Sequence, residues 1–197
     1  MPTVVVPFRG TQGKRRLARL PGAVRAALGE AMLADVVAAC RTVGPVYVVT
    51  RAKGLAVAAT LVADPGGGQG AAVRAGLDAA VAAGEPPPFL VVNADLPCVT
   101  PRDLLALAGA VPEGGLALAA ADDGTTNALA LSAAELFEPL YGPGSARRFE
   151  ALAPSRSLGA PNLVDDVDTL EDLERLRGRA GASTRRALER LRAGAAA

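Results

Sequence analysis

The chain has 197 residues, half of them hydrophobic but only 3% aromatic, with a formal net charge of +1 and no histidine. That length suits one domain burying a full sheet between helices; the near-neutral charge argues against a nucleic-acid partner, and no run reaches the roughly 20 apolar residues of a membrane span. The missing histidine removes Ser-His-Asp hydrolases, Cys-His nucleophiles and His-ligated zinc, leaving Asp, Glu, Lys, Arg, Ser and Thr to work with a hard metal such as Mg²⁺.

With so few aromatics, the core must come from Ala, Val and Leu. Periodic Ala and Leu favour helices, and short Val-rich runs favour strands. In chain order, Thr3–Val6 reads as strand, Ala23–Arg41 as helix and Val46–Thr50 as strand. Leu55–Ala59 reads as a helical turn, Thr60–Ala63 as a short strand, Ala71–Ala83 as helix and Phe89–Asn93 as a buried strand. Pro101–Ala110 is a helix with Thr100 as N-cap and Pro101 at its first position. Leu116–Ala120 and Ala128–Leu131 follow as strands, Ser132–Glu138 opens a short helix, Ser145–Ala153 is helical and Asn162–Val164 is extended. Thr169–Arg177 is a helix, its Thr169-Leu-Glu-Asp172 start having capping-box form. This alternation predicts an α/β fold, a single-domain mostly parallel sheet flanked by helices. Cys40 and Cys98 sit in apolar segments and read as reduced core thiols. The N-terminus lacks the layout of a signal peptide, so a cytoplasmic location is expected. The basic, Ala-rich stretch from Gly178 spaces Leu188 and Leu191 for one helical face. It reads as a solvated terminal helix packed by a few leucines, with a homodimer contact as the alternative.

Five segments can carry chemistry. The loop Phe8-Arg-Gly10-Thr-Gln-Gly13-Lys14-Arg-Arg16 follows the first strand, at the carboxyl edge where open α/β folds bind ligands. Gly10 and Gly13 let the backbone approach phosphates, and Lys14 and Arg16 add positive charge. Arg15 stands where a Walker loop needs Ser or Thr, so this is not one. Asp64-Pro-Gly-Gly-Gly68-Gln-Gly70 joins a strand to a helix and offers backbone contacts to a nucleotide base. Phe89–Pro97 carries Asp95 at the end of an apolar strand, where a metal beside phosphates is held. In Asp165-Asp-Val-Asp168, extended residues two apart project to one side, so Asp166 and Asp168 can close on the cation that Asp95 approaches. Asp168 has a second reading, as a carboxylate favouring the following helix's N-terminus. Finally, Asp122–Leu129 and Tyr141–Arg148 place Thr126 near a glycine turn with Ser145 as N-cap, a start suited to anions, with Arg147 or Arg148 nearby.

Together, Asn93–Pro97, Gly124–Leu129, Tyr141–Arg147 and Asp166–Leu173 occur in the order seen in the phospholactate/phosphoenolpyruvate guanylyltransferases of coenzyme F420 biosynthesis. The chain resembles that family from Thr3 to about Leu176, most specifically in Thr126-Asn-Ala-Leu129 and Gly142-Pro-Gly-Ser-Ala-Arg147. The Ala94-Asp-Leu-Pro97 string is shared with many nucleotidyltransferases. The resemblance implies a Rossmann-like, MobA-type fold, with a nucleotidyltransferase domain over residues 1–178 and a tail over 179–197. It implies GMP transfer from GTP to phosphoenolpyruvate or 2-phospho-L-lactate, with pyrophosphate released. Asp95, Asp166 and Asp168 would hold Mg²⁺, and Asp95, Lys14 and Arg16 would act at the triphosphate. Thr126, Gly142 and Ser145 would bind the three-carbon acid, and Gly10, Gly13, Gly68 and Gly70 the nucleotide. Phe8, Gly70 and Phe149 depart from the pattern, standing where lysine, asparagine and histidine are common. A nucleotidyltransferase with a molybdopterin or sugar acceptor, and a non-catalytic nucleotide-binding module, are the alternatives.

Overall fold

The computed structural model describes residues 1–10 and 20–195. Gly13, Lys14 and Arg16 therefore lie outside the described residues. The elements are β1 (Thr3–Phe8), α1 (Gly22–Arg41), β2 (Val46–Thr50), β3 (Thr60–Ala63), α2 (Gln69–Ala82), β4 (Phe89–Val92) and α3 (Pro101–Gly109). Then come β5 (Leu116–Ala120), β6 (Thr126–Leu131), a 3-10 turn (Ala134–Leu136), α4 (Ser145–Glu150), β7 (Ser155–Ser157), α5 (Pro161–Val164), α6 (Leu170–Leu176) and α7 (Ala182–Ala195).

The strands form one seven-stranded sheet in the order β3-β2-β1-β4-β6-β5-β7. β1, β2, β3 and β4 are parallel, as are β5 and β7, so the mostly parallel α/β reading holds. β6 runs antiparallel to both of its neighbours. That reversal matters for the site. It lays the start of β6 beside the end of β4, pairing Ala128 with Val92.

Period-two alternation divides the core between the sheet's faces. Val4, Val6, Leu90 and Val92 pack with Leu33, Val36, Leu104 and Leu107 of α1 and α3. Val5, Val91, Leu118 and Leu129 pack on the opposite face with Val73 and Leu77 of α2 and with Phe137 and Phe149. Buried on both faces, β1 and β4 read as unbroken apolar runs, as central parallel strands do. A third cluster joins Leu28 and Met32 of α1 to Cys98, Val167, Leu173, Leu176 and Leu188. It seats α7 on α1. Asp35 of α1 caps α7 from outside, its carboxylate accepting from the Ser183 and Thr184 N–H groups at 2.9 and 2.8 Å. Among the described residues no helix is long and apolar enough to cross a membrane.

Four local expectations differ. Leu55–Ala59 forms no helix; Leu55, Val57 and Ala59 are partly buried at alternate positions, an extended pattern in a run too short to nucleate a helix. Asn162–Val164 is helical instead of extended, because Pro161 opens α5 with φ already set for a helix. The helix expected within Ser132–Glu138 is a single 3-10 turn. Ser155–Ser157 pairs with Leu116–Leu118 as an edge strand whose polar side chains gave no alternation to read.

Both cysteines are buried and free. Burial pushes the Cys40 thiol up to about 12 and raises that of Cys98. Since the thiolate is the reactive form, neither should react with an aromatic disulfide reagent at pH 8 until the chain unfolds. Rapid modification of the native protein, followed by absorbance, would contradict this burial.

Candidate functional site

The carboxylate cluster is built by one backbone hydrogen bond and one buried valine. After β4 the chain turns through Asn93–Asp95, and the Asp95 carbonyl accepts from the Val167 N–H at 3.0 Å. Val167 is fully buried in the third apolar cluster. Its neighbours Asp166 and Asp168 therefore emerge together toward Asp95. One oxygen from each of Asp95, Asp166 and Asp168 lies within 4.8 Å of the others. Ligands of a single Mg²⁺, at about 2.1 Å from the ion, stand roughly 3 to 4 Å apart. The all-oxygen donor set and its spacing suit a hard divalent cation after a small closure.

The remaining carboxylate of the run is sorted elsewhere. Asp165 pairs with Arg179 and, at 2.9 Å, with Arg175, and these hydrogen bonds lower its pKa against the opposing effect of burial. Thr169 and Asp172 complete the expected capping box of α6, and Asp172 also accepts from the Asp168 N–H at 3.2 Å. The Thr169 and Asp172 side chains thus supply the capping box of α6.

Polar side chains that the sequence reading did not single out tie these segments together. Asn127, buried in β6, donates its amide to the Val164 carbonyl at 2.9 Å, fixing the segment that leads into Asp165–Asp168. Asn93 donates to the Thr126 carbonyl at 3.2 Å and accepts from the Gln69 amide at 2.7 Å. The signal was available in Asn127, a buried amide in an otherwise apolar strand, which must find partners. The partners were not, because they depend on the reversed direction of β6. Beside the cluster a hollow of about 180 Å³ is lined by Asp122, Asp123, Asp165, Asp166, Asp168 and Arg175.

In the segment expected to meet the nucleotide, Gly66, Gly67 and Gly68 take φ values of +89°, +81° and +108°, a path closed to most L side chains. The Asp64 carboxylate accepts from the Gly66 N–H at 2.8 Å, and Arg9 reaches the same carboxylate at 3.9 Å. Gly10 also has positive φ, just past β1. Gly68 precedes α2 as its N-cap with no capping side chain, so backbone N–H groups face the sheet's carboxyl edge. Gly70 has a packing reason to be glycine: a Cβ there would lie 2.5 Å from Pro139 Cβ.

Thr126 and Ser145, expected to meet the acceptor, do come together. Their hydroxyls lie 3.0 Å apart, both residues being almost fully buried. Ser145 is not the N-cap expected from the sequence. Gly144 holds that place, in the left-handed region that glycine enters without strain, and no side chain caps α4. Two of the N–H groups expected to be open at this helix start are also used: Ser145 donates to the Gly142 carbonyl at 3.0 Å and Ala146 to that of Gly124 at 3.2 Å. Arg148 donates to the Leu140 and Pro143 carbonyls at 2.8 and 2.7 Å, so it braces the turn, whereas exposed Arg147 has no such partner among the described residues.

Residues 15–194 match the MobA-like NTP transferase domain. The chain belongs to that family. It is 38% identical over 190 residues to a phosphoenolpyruvate guanylyltransferase of Nocardia farcinica, covering 88% of this chain and 84% of that one. It is 42% identical over 128 residues to a protein of the same name from Sphaerobacter thermophilus, covering 61% of each. A solved nucleotidyl transferase from Methanothermobacter superposes with a TM-score of 0.61 at 18% identity, over 90% of this chain and 96% of that one, which extends the likeness in fold alone.

Within this MobA-like frame the three departures from the guanylyltransferase pattern have packing explanations. Phe8 closes β1 inside the α1 face of the core. Phe149 is fully buried, its ring centroid 6.3 Å from Phe137 and 5.3 Å from Tyr141. Gly70 admits Pro139. In a chain with so few aromatics, Phe137, Tyr141 and Phe149 form a local cluster beside the Gly142–Ser145 turn.

Proposed function

We propose that this chain transfers GMP from GTP to phosphoenolpyruvate, or to 2-phospho-L-lactate, with Mg²⁺ held by Asp95, Asp166 and Asp168. The observation that carries the reading is the meeting of these three carboxylates at the carboxyl edge of the sheet, in a chain whose relatives are guanylyltransferases. A phosphate oxygen of the acceptor attacks the α-phosphorus of GTP. The bond from that phosphorus to the bridging oxygen breaks, and pyrophosphate leaves with the electron pair. The attacking oxygen is already an anion, so the step needs neither a protein nucleophile nor a histidine base. A divalent cation bound at the three aspartates would neutralise phosphate charge and act as a Lewis acid.

The remaining work belongs to the chain. The glycine path from Gly66 to Gly70 approaches the nucleotide with its backbone, and the turn from Gly142 to Ser145, bonded to Thr126, holds the acid. The loop after β1, with Gly10, Gly13, Lys14 and Arg16, supplies phosphate contacts and positive charge at the leaving group. A place in coenzyme F420 biosynthesis belongs to this same reading.

Turnover with GTP, ATP, CTP and UTP at one acceptor tests the base. GTP is expected to give the highest kcat/KM, with pyrophosphate release as the readout. A preference for CTP would move the chain to another class of nucleotidyltransferase.

A further inference from the structure

The segment leading to the acceptor turn, from Ala134 to Pro143, contains no Lys, Arg, Asn or Gln that could donate to its own carbonyls. Two arginines from outside supply the donors. Arg148 of α4 bonds the Leu140 and Pro143 carbonyls, as described. Arg74 of α2 donates from Nη1 to the Ala134 carbonyl at 3.2 Å and from Nη2 to the Phe137 carbonyl. Its guanidinium carbon also lies 5.0 Å from the Phe137 ring centroid, a cation–π distance. One helical turn earlier, on the same face of α2, Gly70 forms the notch that receives Pro139. Helix α2 therefore grips this segment at two points four residues apart. The grip reaches the turn through Phe137, whose ring packs against Tyr141 at 6.2 Å and against Phe149 of α4.

The same helix begins at the glycine path on the nucleotide side. We propose that Arg74 is a positioning residue for the acceptor: it registers the Gly142–Ser145 turn against α2, so that acceptor and nucleotide are held in one frame. This rests on the guanylyltransferase reading for the identity of the acceptor, but the geometry of the grip does not. Lysine cannot replace the fork. One ammonium cannot span the Ala134 and Phe137 carbonyls and also lie over the Phe137 ring.

The test uses the full-length enzyme with Arg74→Lys and Arg74→Ala. Arg74→Ala should raise the KM for phosphoenolpyruvate about tenfold or more, since small misplacements of a bound reactant are costly, and leave that for GTP within about twofold. Arg74→Lys should behave similarly while folding normally. Added guanidinium, unlike ammonium at equal ionic strength, should restore the KM of Arg74→Ala. Equal rises in both KM values, or no rescue by guanidinium, would overturn the proposal. Amide exchange on the substrate-free protein separates this outcome from failure of the acceptor reading. Exchange over residues 137–146 should quicken in Arg74→Lys while residues 164–168 keep the wild-type rate; unchanged exchange refutes the grip, whereas a wild-type enzyme idle with phosphoenolpyruvate refutes the acceptor.

Discussion

Asp95→Ala and Asp168→Ala should each lower pyrophosphate release by more than about a hundredfold, since a catalytic divalent cation contributes several kcal/mol, while the protein stays folded. The structure separates the two consequences. Asp95 anchors Val167 through its carbonyl, not its carboxylate, so alanine leaves the 3.0 Å backbone bond in place. Val167 keeps its buried position whichever flanking aspartate is cut back. Removing one of three carboxylates gathered within 4.8 Å also relieves mutual repulsion. The wild-type protein should gain thermal stability when Mg²⁺ is added, by mass action on the folded state, and both variants should lose that gain. A control beside the site should behave in the opposite way. Thr169→Ala removes the cap of α6 at a cost of about 1 kcal/mol, and should lower Tm while leaving most of the turnover. Near-normal turnover of either aspartate variant at saturating Mg²⁺ would refute the metal assignment.

How much of this was legible in the sequence follows from which interactions are local. The N-cap at Thr100 and the capping box at Thr169 depend on three successive peptide units, and both formed as read, with Asp103 completing a box at Thr100 as well. The two-residue spacing of Asp166 and Asp168 is also local, and placing them on one side needed only an extended backbone. Hydrophobic runs located the central strands for the same reason. What failed to show was relative direction. Nothing in Thr126–Leu131 marks it as antiparallel, yet that reversal brings Thr126 and Asn127 to the edge where Asp95 lies. Asn93, Gln69 and Arg74 are ordinary polar residues until the partner segments are in place. Ser145 was misread as a cap because serine fits that position in general, whereas the turn here needs the left-handed conformation that Gly144 supplies. Gly70 shows the converse. It reads as a departure from the family pattern, and the structure gives it a steric duty toward Pro139, far away in sequence.

Ser145→Ala should change both stability and acceptor binding, and a second substitution can separate them. The Ser145 and Thr126 hydroxyls bond at 3.0 Å in a site closed to water. Alanine at 145 leaves the Thr126 hydroxyl buried and unpaired, which costs about 1–3 kcal/mol of stability. If the pair also presents the acceptor turn, the KM for phosphoenolpyruvate should rise roughly ten- to a hundredfold, the equivalent of one lost bond to a charged group at about 1.5–3 kcal/mol. The KM for GTP should move much less. Adding Thr126→Val removes the stranded hydroxyl while keeping its volume, and replacing both partners by apolar groups is close to neutral for stability. The double variant should therefore regain most of the lost Tm and none of the lost acceptor affinity. Initial rates at varied phosphoenolpyruvate, beside thermal melts of the single and double variants, decide the matter. If Ser145→Ala lowers Tm but leaves the acceptor KM at its wild-type value, the hydroxyl pair only fastens α4 to β6, and the acid is bound by other groups of the turn.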